Sequence, residues 1–287
     1  MAQLAGYLGR YTPIKSVGLC HSVQGCSRNL LKDLGIEYKE PLRESIAGIN
    51  HMGWLLELED ADGNDLYPEI RERAIAILES GKTDHHDLVR YEYIRRLGYY
   101  CTESSEHNAE YNNFFIKAKY PELIERYNIP LDEYPRRCIN QIENWKKDRE
   151  KYMHDDVTHT RTTEYASYIM EAIVTDIPYK IGGNVINNGL IPNLPAEACV
   201  EVACLVNKNG IQPCAQKPLP LQLAAMNSAM IGVQLLTIEA AVTQKKETIY
   251  QAAMLDPHTS SELSIDEIIR LCDDLIEAHG SYLPKYH

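Results

Sequence analysis

Apolar residues recur at helical spacing through most of the chain and crowd into short strand-like runs elsewhere, and the succession of the two predicts its elements. Met1 to Arg10, with Leu4, Tyr7 and Leu8, predicts a short helix ended by Pro13, and Ile14 to Leu19 a strand. Ser22 is placed to cap a helix from Val23 to Leu34. Leu42 to Ile49 and Trp54 to Leu58 are short enough for strands, and Asp60 to Asp65 is a turn by composition. Ile70, Ala74, Ile77 and Leu78 predict a helix over Leu66 to Ser80; Asp87 to Leu97 repeats the pattern and Gly98 closes it.

Ile139 to Tyr152 reads as a charged, solvated helix. Asp155-Asp156 with Thr158 to Thr163 reads as a connecting loop before a helix from Glu164 to Val174. Lys180 to Asn188 and Cys199 to Val206 predict strands of a second sheet region, joined by a loop shaped by the Asn, Gly and Pro residues of Asn187 to Pro195. Leu221 to about Leu255 is long, apolar and alanine-rich, the pattern of core and interface helix. Ser264 to His279 follows, with Ser264 and Glu267 in capping-box relation. No repeat, linker or low-complexity tract interrupts the 287 residues, which predicts one compact α+β unit.

Charge and cysteine usage narrow the function. With 29 basic against 41 acidic residues and a formal net charge of -12, a nucleic-acid partner is disfavoured. The 8 cysteines include no C-x-x-C pair, against a zinc ribbon or a disulfide framework and in favour of a reducing, cytoplasmic setting. No apolar run is read as reaching the roughly 20 residues that cross a bilayer, so no membrane partner is expected. Neither a G-x-G-x-x-G turn nor a P-loop occurs.

The candidate chemistry centres on Cys20. A thiol beside a helix N-terminus is pushed towards thiolate by the helix dipole, and thiolate is the metal-binding form. Asn50-His51-Met52-Gly53 lies on the connection between two strands, so a sulfur and an imidazole could converge on one divalent ion. From spacing alone, a buried Cys followed by a lone His is more often core packing than a ligand pair. Tyr99 to Tyr111 gathers hydroxyls, carboxylates and a histidine into one polar stretch.

These segments, in identity and order, resemble glycoside hydrolase family 4, the NAD- and divalent-metal-dependent glycosidases, and within it the α-galactosidase-like branch. Val17 to Gly25 looks like the family's metal-cysteine motif and Ala47 to Met52 its metal-histidine motif. Gly98 to His107, Asn187 to Pro195 and Lys15 are similar to further family signatures. The resemblance implies the C-terminal region of a lactate/malate dehydrogenase-like glycosidase fold, mixed sheets packed with long helices, residues 1–287 forming the metal- and substrate-binding domain. It implies Mn²⁺ or another divalent transition metal held by Cys20 and His51, and NAD as second cofactor. His21, Asn50, Asn187 and Asn188 would contact the sugar, and the base that takes the carbon 2 proton would be Tyr100, Glu103 or Tyr111.

The implied reaction oxidises carbon 3, eliminates the glycosidic oxygen after deprotonation at carbon 2, adds water and returns the hydride, an exception to the two-carboxylate scheme. The substrate would be a small glycoside and the enzyme a homo-oligomer, dimer or tetramer. His21 stands where phospho-glycosidase branches have an aspartate, which favours a non-phosphorylated α-galactoside, with an α-galacturonide the nearest rival. In the family a dinucleotide-binding domain precedes the stretch resembling Met1 to Ala5. The expectation is therefore that these 287 residues alone do not turn over, or persist as a non-catalytic interaction module.

Overall fold

The computed structural model describes residues 1–155 and 160–287. Helix α1 (Ala2–Tyr11) leads into an extended stretch in which only Gly18 bridges a strand, opposite Asn184, so the strand expected over Ile14 to Leu19 shrinks to one bridge. Ile14 is 59% exposed and gains nothing by pairing there. Helix α2 (His21–Leu34) begins two residues earlier than its sequence pattern implies: Cys20, not Ser22, is the extended N-cap residue, and Gly35 ends the helix at φ 65°.

Strands β1 (Arg43–Ile49) and β2 (Met52–Glu59) form a hairpin in which Ile49 faces Met52 across the two-residue connection Asn50-His51. Helices α3 (Tyr67–Glu79) and α4 (Leu88–Leu97) follow; Gly98 closes α4 at φ 91° and delivers the two-residue strand β3 (Tyr100–Cys101) against β2. Beyond α5 (Ser105–Glu110) and α6 (Glu122–Arg126), helix α7 (Glu133–His154) buries none of its residues and leaves Ile139, Ile142 and Trp145 exposed. The loop expected at Asp155-Asp156 and Thr158 to Thr163 falls in part on residues 156–159, outside the described residues.

Helix α8 (Ala166–Thr175) precedes β4 (Tyr179–Ile186), β5 (Cys199–Asn207) and β6 (Gly210–Pro213). These strands do not found a second sheet, as the sequence suggested. Gly48 of β1 pairs with Glu201 of β5, giving one sheet ordered β3-β2-β1-β5-β4, with β6 also on β5 and every strand pairing antiparallel. The α+β class stands.

The expected continuous helix from Leu221 to Leu255 is two, α9 (Leu221–Thr243) and α10 (Lys246–Leu255), broken where Gln244 turns left-handed at φ 55°. Helix α9 is 23 residues long and apolar enough by composition to cross a membrane, which corrects the sequence reading of no such run. It packs instead on the sheet: Asn227 accepts from Trp54 Nε1 at 3.2 Å and donates to Met52 O at 2.9 Å, so the helix carries amides that the strands satisfy. Helices α11 (Pro257–Glu262) and α12 (Ile265–His279) close the chain, α12 with the expected capping box.

Alternation along the strands splits the core. Ile49, Met52, Trp54, Val200, Val202 and Cys204 face α8 and α9, whereas Leu55, Tyr100, Leu30, Leu31, Ile70 and Ile94 pack between the sheet and α2, α3 and α4. The tip of the β1–β2 hairpin, the start of α2 and the segment after β3 emerge at one edge of this second layer.

Candidate metal centre

Three chain segments bring Cys20, His51 and Glu103 together, with one donor atom from each within 4.8 Å of the others. Cys20 is 8% exposed at the N-cap of α2; its Sγ lies 2.9 Å from Ser22 Oγ and 3.9 Å from Glu103 Oε2. His51 occupies the hairpin tip at φ 64°, a left-handed conformation that a non-glycine residue adopts at a cost of about 1–2 kcal/mol. That backbone turns the imidazole sideways, so that Nε2 meets Glu103 Oε2 at 3.2 Å and Nδ1 lies 3.3 Å from the Tyr111 hydroxyl. The Tyr111 ring stacks on His51 and the His107 ring packs edge-on against it.

Glu103 is fixed in turn by a bond from Ser104 N to its Oε1 at 2.8 Å, while Asn108 Nδ2 donates to its carbonyl at 2.9 Å. Below this segment Arg90 pairs with the buried Asp87, which also accepts from Tyr100 Oη at 2.7 Å. Arg90 lies 4.4 Å from the Tyr100 ring centroid.

The electrostatics correct one expectation. Burial, reinforced by Glu201 and Glu103, pushes the Cys20 thiol up, against the pull of its bonds to Ser22; the position at a helix start is as expected but does not win against desolvation. Burial holds His51 below its ordinary value despite Glu103, which favours the neutral imidazole that ligates metals. A thiol, an imidazole and a carboxylate, partly dry and converging on one point, fit a divalent transition ion. A second grouping of Asp33, His86 and Asp87 is largely exposed, and its buried member is already held by Arg90 and Tyr100.

Of the other sequence candidates, Tyr111 and Glu103 reach this point and Asn50 adjoins it, buried, with its Nδ2 unpartnered. Tyr100 does not: it is 1% exposed and its hydroxyl is spent on Asp87. His21 is exposed beside Cys20, with Nε2 2.8 Å from Glu164 Oε1. Asn187 directs its Nδ2 to the carbonyls of Ile191, Leu194 and Pro195 and so shapes its own loop, and Asn188 is exposed at φ 42°. Neither is tied by a hydrogen bond to the cluster among the described residues. Sequence reasoning missed Glu201, which is fully buried within Val200-Glu201-Val202; a lone acid in an otherwise apolar strand was the available signal.

Comparison with known proteins adds an independent line. Residues 46–259 match the family 4 glycosyl hydrolase C-terminal domain. The chain is 58% identical over its full length to an α-galactosidase of Bacillus subtilis, of which it covers 65%. The structure of the lplD protein of Bacillus subtilis superposes with a TM-score of 0.83 at 23% identity, over 96% of this chain and 66% of that one. A 6-phospho-α-glucosidase from gut microorganisms, in complex with NAD and Mn²⁺, superposes with a TM-score of 0.76 at 19% identity, over 100% of this chain and 66% of that one. The chain spans 57–65% of the length of the first curated relatives it matches.

Proposed function

The chain belongs to family 4 of the glycosyl hydrolases, and on that premise we propose that it supplies the metal- and substrate-binding part of a glycosidase acting on α-galactosides. The convergence of Cys20, His51 and Glu103 carries the reading, and the 58% identity to an α-galactosidase supports the sugar. These three side chains would hold the ion, Mn²⁺ by analogy with the neighbour solved with NAD and Mn²⁺. When bound, such an ion would supply positive charge to sugar oxygens, and NAD would exchange hydride at carbon 3. No residue of this chain matches the glycine-rich cradle of a dinucleotide, so the NAD assignment rests on the family.

The chain's own residues do the rest. His51, neutral and backed by the Tyr111 hydroxyl at 3.3 Å, keeps Nε2 directed at the cluster. Glu103 opposes the ion's charge. Of the three candidate bases, Tyr100 is spent on Asp87 and Glu103 is a metal donor, which leaves Tyr111, with its hydroxyl at the cluster, to take the carbon 2 proton at Oη. Its pKa is raised by burial and by Glu103 and Glu110, and positive charge at the donors opposes that rise.

The test follows an α-galactoside deuterated at carbon 2, incubated with the whole protein, NAD, Mn²⁺ and a reductant. Hydrolysis should release the label to solvent and should stop on chelation of the metal. Hydrolysis with the label fully retained, or undiminished by a chelator, would overturn the reading.

A further inference from the structure

One row of residues crosses the sheet directly behind the hairpin tip. Asn184 pairs with Glu201, Glu201 with Gly48, and Gly48 with Gly53, whose carbonyl accepts from Thr102 N at 2.9 Å. Cross-strand partners share a face, so Asn184, Glu201 and Thr102 all project towards α2, with two glycines in between. A Cβ added at Gly53 would lie 2.8 Å from Glu201 Oε2 and 3.1 Å from Thr102 Oγ1; the Glu201 carboxylate and the Thr102 hydroxyl therefore both lie over the bare backbone of β2.

Each of the three donors hangs from this row. Gly18, two residues before Cys20, exchanges both backbone hydrogen bonds with Asn184, at 2.9 Å each. Gly48 and Gly53 flank the tip that carries His51, and Thr102 immediately precedes Glu103. Glu201 Oε1 accepts from Asn184 Nδ2 at 3.0 Å, whereas Oε2 and Thr102 Oγ1 are buried without partners of their own. A fully buried carboxyl group in an apolar strand is costly, and apolar replacements of such groups are often neutral or stabilising. Glu201 is thus hard to account for by stability alone.

We propose that Glu201 is a positioning residue for the metal centre: bonded to Asn184 beside the Cys20 segment and packed over Gly53 next to Thr102 beside the Glu103 segment, it fills the glycine gap and so sets the spacing of the three donors. This rests on the metal reading given above. The carboxyl group acts through its Oε1 bond to Asn184 and through Oε2 packed over Gly53, and does not itself ligate.

The test is Co²⁺ titration of the 287-residue chain, followed by calorimetry and by the thiolate-to-Co²⁺ charge-transfer band. Glu201→Met fills the same volume without polar atoms; it should fold with native or higher thermal stability yet bind Co²⁺ about 10–100-fold more weakly, with an altered band. Glu201→Gln keeps the shape and the acceptor for Asn184 and should bind within about threefold of the native chain. Gly53→Ala, which takes the space under Oε2, should weaken binding in the same direction, and it decides the matter should Glu201→Met not fold. Native affinity and a native band in Glu201→Met or Gly53→Ala would overturn the proposal, as would Glu201→Gln binding as weakly as Glu201→Met. If the native chain binds no Co²⁺ at all, the metal reading itself fails and takes this proposal with it.

Discussion

Cys20 illustrates how far single residues speak for themselves. Its place at a helix start was legible from Gly18-Leu19 running into Ser22, but its burial was not, and burial decides the direction of its acidity. Tyr100 shows the converse: its neighbours made it a candidate base, and only the fold reveals Asp87 and Arg90 waiting on the other side of β3. Tyr111→Phe should lower kcat on an α-galactoside about 10²–10⁴-fold with KM changed little, the usual weight of one proton-transfer group. A kcat within threefold of the native value would remove Tyr111 from that role.

Glu201 yields a pH dependence at the same scale. Burial, with Glu103 nearby, raises it from 4.5 to about 7. The folded state therefore holds its proton more tightly than the unfolded chain. The resulting stability is fully present below pH 4.5 and is lost as pH rises to about 7, a change of roughly 3 kcal/mol by linkage. Asn184 on β4 faces the carboxyl with a neutral amide, and Glu103 and Cys20 face it from the β3–α5 connection and the start of α2. Denaturant unfolding at pH 5 and pH 7.5 should show Glu201→Gln gaining on the native chain at the higher pH. An identical difference at both values would contradict the assignment.

At the scale of elements, most strands and helices followed from local pattern, whereas the long-range pairing that makes one sheet did not. The hairpin, α3, α4 and the capping box of α12 follow from local pattern. The single sheet depends on Gly48 meeting Glu201, a contact between residues some 150 positions apart that no local pattern encodes. The break between α9 and α10 was hidden because Gln244 is neither Gly nor Pro, yet it alone adopts the left-handed turn there.

Helix α9 is locked to β2 by Asn227, which serves Trp54 Nε1 and Met52 O together. Asn227→Ala leaves both groups buried and unpaired and should cost about 2–6 kcal/mol by denaturant unfolding, one to three for each. A loss under 0.5 kcal/mol, taken as the order of a surface substitution, would show that the lock contributes little.

On the scale of the whole molecule, the chain forms one sheet with helices on both faces and gathers three donors at one edge of the α2 layer. The resemblance to the family rests on Cys20, His51 and the segment from Gly98 to His107, and on their order along the chain. The third donor, Glu103, was legible only as one of several polar residues in that segment, since the 3.2 Å approach to His51 depends on β3 pairing with β2. Exposed Leu4 and Ile14 at the α1 end and Leu221 at the start of α9 add apolar surface that the described residues leave uncovered.

The central claim is that Cys20, His51 and Glu103 form one divalent-metal site, and Mn²⁺ binding to the purified, reduced chain tests it without recourse to turnover. Titration followed by electron paramagnetic resonance should show one ion per native chain. Cys20→Ser and His51→Ala should each weaken that binding by about 100-fold or more while the fold, followed by circular dichroism, persists. Native Mn²⁺ affinity in either folded variant would contradict the account.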